Sequence, residues 1–211
     1  MDSVIQATVT NPDVSGSTPG TVTIKAKGTN MVRWEGTSGG GNSYVTIAAR
    51  GQQKHQVGSG WASDASSNAI HQRLTHLPAL MIGQEMARGD LWGQYVGEET
   101  VGGQTVHHVK LARVSTLGSP VDAQLTQNSE IDVFINTQTG LIAKIAYMHR
   151  TETDWRIGIP MEIYYDNYQT VNGMLIPYHQ RTVIRNSIKT DLNITSVQFN
   201  VGLADSIFQG N

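Results

Sequence analysis

Asn172-Gly173 stands between two alternating runs in MEIYYDNYQTVNGMLIPYHQRTVIRN, residues 161–186, and constrains the fold more than any other feature of the chain. A type I′ turn needs positive φ at both central residues, which Asn and Gly tolerate, and its twist matches that of the strands it joins. Counting outward from that turn sets Val171 opposite Met174, Gln169 opposite Ile176, Asn167 opposite Tyr178 and Tyr165 opposite Gln180. Ile163 then faces Thr182, and Met161 faces Ile184. Those pairs share one face, which is mostly apolar. The other face carries Asp166 against His179, Tyr164 against Arg181 and Glu162 against Val183, a set suited to water. One side of a long ribbon therefore needs covering.

The same period of two runs through most of the chain. GTVTIKAKGTNMVRWEG turns around residues 27–30, NSYVTIAARGQQKHQV at Arg50-Gly51, GQYVGEETVGGQTVHHVKLARV at Gly102-Gly103, and EIDVFINTQTGLIAKIAYMHR at residues 137–140. In the last strand, TDLNITSVQFNV, the apolar positions change phase between Ile194 and Val197, the mark of a bulge. One helical interruption lies between residues 64 and 88. There Asp64 caps a short helix to about Arg73, and Pro78 opens a second, LPALMIGQEMAR, which Gly89 stops. Leu77, Leu80, Met81 and Ile82 make its apolar side, while residues 11–20, 36–42 and 115–129 read as loops. The pattern predicts one mainly β (α+β) domain over residues 1–211 with about 11 antiparallel strands, and it leaves closed barrel, sandwich and curved half-barrel open.

Composition narrows the partners. A chain of 211 residues is long enough for a sizeable core, and 15% charged residues with 22 glycines suit strands and turns. The 15 Lys and Arg are scattered and the formal net charge is -2, so there is no footprint for nucleic acid or an anionic membrane. With no cysteine, disulfides and thiolate metal sites are excluded. No apolar run is long enough to span a bilayer, and MDSVIQATVT has neither the basic start nor the continuous apolar stretch of a signal peptide.

The residues that carry chemistry elsewhere have plainer readings here. GTSGG, residues 36–40, matches the nucleophile elbow of serine hydrolases, but the elbow needs a helix after Ser38, and GGGNSYVTIAA leads into another strand. His107 and His108 are adjacent on a strand and point to opposite faces, while His71 and His76 do not share a helix face, so no bound metal is expected. Asp166 and His179 read as a cross-strand ion pair, since no nucleophile stands beside them. Trp34, Trp61, Trp92 and Trp155 are too dispersed for a stacking platform.

Taken in order, AKGTNMVRWEG, the helices around HLPAL, then GLIAKI, EIYYDNYQTVNGMLIP and the closing SVQFNVGLADSIF resemble the LolA/LolB-like superfamily of outer-membrane lipoprotein-sorting and carrier proteins. The resemblance runs from about Val22 to Phe208. It implies a strongly curved antiparallel half-barrel with short helices capping an apolar concave face, in a non-enzymatic protein of the periplasm or cell envelope. On that reading any secretory segment lies upstream of Met1. The implied ligand is a lipid or lipoprotein acyl chain, with envelope proteins as further partners and no cofactor. Ile159, Met161, Ile163 and Tyr165 would form the cavity wall with Ile176, Tyr178 and Ile184, and Leu77, Leu80 and Met81 the lid. Burying an acyl chain is worth about 0.8 kcal/mol per methylene, so a trough suffices without catalytic groups. One position departs from the family: the turn that bears its lid-tethering Arg-Pro pair reads Lys27-Gly28-Thr29-Asn30 here. A structural or interaction module with a self-filled interior is the competing reading, ahead of a hydrolase or a His-dependent metalloprotein.

Overall fold

The structure is a computed structural model that describes residues 1–11, 18–37, 41–64, 71, 74–114, 120–150 and 156–210. Its thirteen strands are β1 (Asp2–Thr10), β2 (Gly20–Lys27), β3 (Met31–Thr37), β4 (Ser43–Ala49), β5 (Gln52–Val57), β6 (Gly60–Asp64), β7 (Leu91–Val101), β8 (Gln104–Arg113), β9 (Ile131–Asn136), β10 (Ile142–Arg150), β11 (Gly158–Val171), β12 (Met174–Ile184) and β13 (Ser187–Phe199). They form one antiparallel sheet in the order β6-β5-β4-β3-β2-β1-β13-β12-β11-β10-β9-β8-β7. Only the β1–β13 pairing joins strands distant in sequence. The sheet is left open, with β6 and β7 as its edges, which is the topology of a curved half-barrel and not of a closed barrel or a sandwich.

Two strands exceed the sequence expectation, β1 and β6. Every second residue of β1 is buried, but the series is Ser3, Ile5, Ala7, so its apolar alternation is muted. β6 is five residues, GWASD, with no β-branched side chain.

The turns fall where Asn and Gly put them. Asn172 and Gly173 have φ of 50° and 79°, and Arg50-Gly51 and Gly102-Gly103 repeat the double positive φ. β11 and β12 pair in the register counted from the sequence, Met161 with Ile184 through Val171 with Met174. The Asn167–Tyr178 pair alone is missing from the ladder, where Asn167 has φ of 49°. The phase change in β13 is also present. The ladder with β1 steps from Gln6–Ser196 to Ala7–Ile194, so Thr195 is the extra residue, and Leu192, Ile194 and Val197 are all buried.

Rows of paired residues give the sheet an apolar face, here termed inner. Ile131, Tyr147, Met161 and Ile184 form one row across β9–β12, and Val133, Ile145, Ile163 and Thr182 the next. Across the other half, Ile5, Ile24 and Trp34 align on β1, β2 and β3. Of these rows, Ile5, Ile24, Ile131, Val133, Ile145 and Ile163 belong to one core cluster with Leu74, Leu77 and Met81 from the helical insert, and Tyr147 and Trp34 pack against it.

Helix α1 (Pro78–Ala87) starts with Pro78, whose missing N–H costs nothing in a first turn. It ends in a Schellman motif: Asp90 N–H donates to Glu85 O, Gly89 N–H donates to Met86 O, and Gly89 has φ of 74°. The short helix expected over residues 64–73 lies mostly outside the described residues. Residues 115–129, expected as a loop, carry helix α2 (Pro120–Asn128). Its apolar residues Val121, Ala123 and Leu125 alternate at a spacing of two, so that segment has no helical periodic signal.

On the outer face the C-terminal segment straps across β3–β5. Phe208, in a 3-10 turn over Asp205–Phe208, is buried beside Ile47. Lys27 Nζ donates to Leu203 O and Asp205, Arg33 Nη1 to Ile207 O, and Lys54 Nζ to Gly210 O. Among the described residues, no helix is long and apolar enough to cross a membrane.

Candidate functional site

Of the residues proposed for the cavity, Leu77, Met81, Ile163, Tyr165 and Ile176 come together, each at most 6% exposed, in the core cluster. Leu80 and Tyr178 pack half-buried against it. Ile159, Met161 and Ile184 are half-buried and stand outside the cluster, at the end of the β11–β12 ladder away from its turn.

Two side chains of the sheet hold the backbone of the insert. Tyr165 Oη donates to Thr75 O at 2.9 Å, and Gln180 Nε2 donates to His76 O at 3.1 Å. Tyr165 and Gln180 are cross-strand partners, so one pair of facing residues clamps the segment ahead of α1. Gln180 is one of four polar residues on a mostly apolar face, with Asn167, Gln169 and Thr182, and alternation alone does not single it out. His71 is no more legible: its ring lies stacked on Tyr147 at 4.4 Å between ring centres, a contact between positions far apart in the chain.

His71 and the phenols of Tyr147, Tyr165 and Tyr168 are held neutral. Burial, reinforced by the nearby charges of His149 and Arg150, lowers the His71 pKa to about 3. Burial also raises the phenols of Tyr147, Tyr165 and Tyr168, and Tyr168 Oη donates to Ile142 O at 2.6 Å. The inner face thus presents aliphatic and aromatic surface with neutral polar groups, which suits an apolar guest.

The far end of α1 is tied to the sheet by charge. Arg88 Nη2 donates to the buried hydroxyl of Thr29, in the β2–β3 turn, and to the buried carboxylate of Glu85 at 3.0 Å. Arg88 Nε donates to Asp90, and Arg113 stands 3.7 Å from Glu85. The turn that lacks the family's arginine therefore receives one from the helix.

The outer face of β7–β13 is a polar ladder. His108 lies between Glu99 and Asp132 at 2.6 and 2.7 Å and stacks on Phe134. Lys144 sits 4.1 Å over the Phe134 ring, and Arg181 stands over Tyr164. At the other end His179 lies between Asp166 and Asp191, at 2.8 and 3.0 Å. Asp166 and His179 are thus a cross-strand pair with a second carboxylate added. Burial alone would lower the His179 pKa, but its hydrogen bonds and Coulomb attraction, first to Asp166 and then to Asp191, raise it above 6.5.

A pH dependence results, because the folded protein binds this proton more tightly than the unfolded chain does. The resulting stability is fully present below the unfolded pKa of about 6.5 and is lost as pH rises through the higher folded value. Urea unfolding across that interval should show a falling midpoint, and Asp191→Asn should flatten the slope.

Two grooves lie on the outer face. The larger, about 400 Å³, runs over β9–β12 beneath the end of α2, and the smaller, about 150 Å³, lies beside the C-terminal strap. The tryptophans among the described residues are dispersed as expected: Trp34 packs on the core, Trp61 faces Lys54 at one edge of the sheet, and Trp92 is on the other edge. Trp155, Ser38 and the last two glycines of GTSGG lie outside the described residues. His107 pairs with Ile135 on the inner side and His108 with Phe134 on the outer.

No family model matches the sequence, and no curated protein matches it either. Solved structures do match its fold. One, from Vibrio parahaemolyticus, is described as an outer membrane lipoprotein-sorting protein domain; the superposition covers 98% of this chain and 88% of that one, with TM-score 0.60 and 10% identity. The LolA superfamily protein NE2245 from Nitrosomonas europaea is covered to 89% by 99% of this chain, with TM-score 0.59 and 12% identity. A DUF1329 family protein from Desulfovibrio piger gives TM-score 0.57 at 14% identity, over 99% of this chain and 89% of its own. The chain has the LolA-like fold over essentially its whole length.

Proposed function

We propose that this protein is a non-enzymatic, cell-envelope binder of a lipid or lipoprotein acyl chain, held between the inner face of the sheet and the helical insert. The observation that carries the reading is how the apolar rows are covered. A thirteen-stranded sheet presents a continuous apolar face, and its described cover is α1 and the short segment ahead of it. That cover attaches by side-chain packing, one facing pair of hydrogen bonds and the Arg88 tether, and not by strand pairing. Around it stays a rim of half-buried apolar side chains, among them Val109, Ile135, Val171, Met174 and Tyr178. A guest chain entering there would lift the insert and replace its contacts with others of the same kind.

Two further points support the reading. His71 and Tyr165, both buried, are uncharged, which suits hydrocarbon, and a protein of the same fold is described as lipoprotein-sorting, a fold-level analogy. The competing reading, a self-filled interaction module, draws on the near-complete burial of Leu77 and Met81 in this state.

The two readings part on a binding experiment. A fluorescent acyl probe is expected to bind one to one and saturably, and Leu80→Glu is expected to weaken it. Leu80 is half-buried on a helix that tolerates Glu, so folding should survive the substitution. Absence of saturable probe binding by the folded wild-type protein would leave the self-filled module.

A further inference from the structure

The groove of about 400 Å³ over β9–β12 lies on the opposite side of the sheet from the apolar face. The strand pairing shows this: Asp132, Ala146, Glu162 and Val183 form one outer row, and Met148 with Pro160 belongs to the next. We propose that this groove is a second binding site, for a small anionic polyol: a molecule with one phosphate or carboxylate group beside free hydroxyls.

Size sets the class first, since 400 Å³ is at the small-molecule end of ligand pockets. Charge then selects the sign. Three carboxylates line the groove, but each has a partner outside it: Asp132 hydrogen-bonds His108 at 2.7 Å, Glu162 pairs with Lys144 at 2.9 Å, and Glu130 with Lys110 at 3.6 Å. Arg185, also in the lining, has no carboxylate partner among the described residues, and Arg150 shares the groove with it. The cation left to recruit a ligand is therefore Arg185, and a guanidinium suits the planar or forked oxygens of a carboxylate or phosphate.

Two independent details sharpen the fit. Arg185 and Asn186 form the β12–β13 turn with φ of 49° and 64°, a backbone that Asn or Gly adopts at less cost than Arg, so local folding alone would favour another residue at 185. Asn128, at the end of α2 in the same lining, holds its side-chain Oδ1 buried with no hydrogen-bond donor among the described residues. An acceptor left in that state calls for a donor from a guest, and a hydroxyl supplies one. An anionic group at Arg185, a hydroxyl at Asn128 and a carbon edge on Met148 and Pro160 describe a glycerol phosphate or a sugar acid. The same chemistry is present in free metabolites and in the phosphatidylglycerol headgroup.

The test uses the full chain with two probes, glycerol 3-phosphate in calorimetry and cosedimentation with phosphatidylcholine vesicles with or without phosphatidylglycerol. Arg185→Asn and Arg185→Gly are expected to weaken binding by about tenfold or more, the loss of one charge-assisted hydrogen bond, while the thermal midpoint stays level or rises because the turn relaxes. Asn128→Ala should cost a smaller factor. Arginine-dependent binding of the soluble probe would assign the site to a free polyol, and arginine-dependent binding of phosphatidylglycerol vesicles alone to a lipid headgroup. Binding to neither probe, or binding that both Arg185 variants leave unchanged, overturns the proposal.

Discussion

Gly36→Ala is expected to cost about 3 kcal/mol or more of stability, at the upper end of what overpacking does in a folded interior. A Cβ built at residue 36 lies 2.1 Å from Thr21 O, 3.0 Å from Val22 Cα and 3.1 Å from Thr21 C. All three are backbone atoms of β2, so no rotamer change relieves the clash. Gly36 pairs with Val22 on one side and Tyr44 on the other, and the strands can part only by breaking ladder hydrogen bonds. Gly83 provides the control: it lies inside α1 with open space around its Cβ position, and alanine there should stabilise by about 0.5–1 kcal/mol. Urea unfolding of the two variants should shift in opposite directions. The first glycine of GTSGG is thus explained by a close approach of two strands, with no need of a nucleophile elbow.

Leu77→Ala is expected to cost about 2–5 kcal/mol, the range for emptying a well-packed leucine site. Leu77 is 1% exposed and belongs to the cluster that includes Ile163, Tyr165 and Ile176. The loss should be felt first where the insert meets the sheet, because Tyr165 and Gln180 grip the main chain of Thr75 and His76, immediately before it. Amide exchange should therefore quicken in residues 74–87 ahead of β11 and β12. Uniform exchange loss throughout the sheet would mean that the insert and the sheet open as one unit. The same reasoning bears on Ile163→Glu, which would place a carboxylate at a 6% exposed position and is expected to unfold the protein instead of only blocking a guest.

How much of this could be read from the chain varies with the range of the interactions. The β11–β12 register was legible to the residue because Asn172-Gly173 fixes a local turn and a period of two does the rest. Pro78 and Gly89 marked α1 for the same reason. The bulge at Thr195 showed as a phase slip between Ile194 and Val197. β1 was harder, since its inward positions include Ser3 and Ala7, and α2 harder still, with Val121, Ala123 and Leu125 spaced by two and not at a helical period. The closure of β1 on β13 rests on contacts nearly the full chain apart, which no local pattern encodes.

The site divides in the same way. Leu77, Met81, Ile163, Tyr165 and Ile176 are placed by periodicity and do converge in the structure. Met161, Ile159 and Ile184 keep the same phase yet stand outside the cluster, because alternation gives the face of a strand and not how far along it the cover reaches. The stacking of His71 on Tyr147, the Arg88 link to Thr29 and the outer groove all join distant segments. They become visible only once the sheet is assembled.

The central claim is that the inner face can exchange its helical cover for hydrocarbon. Displacement of a fluorescent acyl probe by a series of straight-chain fatty acids tests it most directly. If each added methylene is buried against Ile163, Ile176 and their neighbours, affinity should rise about fourfold per carbon, from about 0.8 kcal/mol each, until the trough is filled. Affinity that stays flat with chain length, or no displacement at any length by a protein shown to be folded, would contradict it.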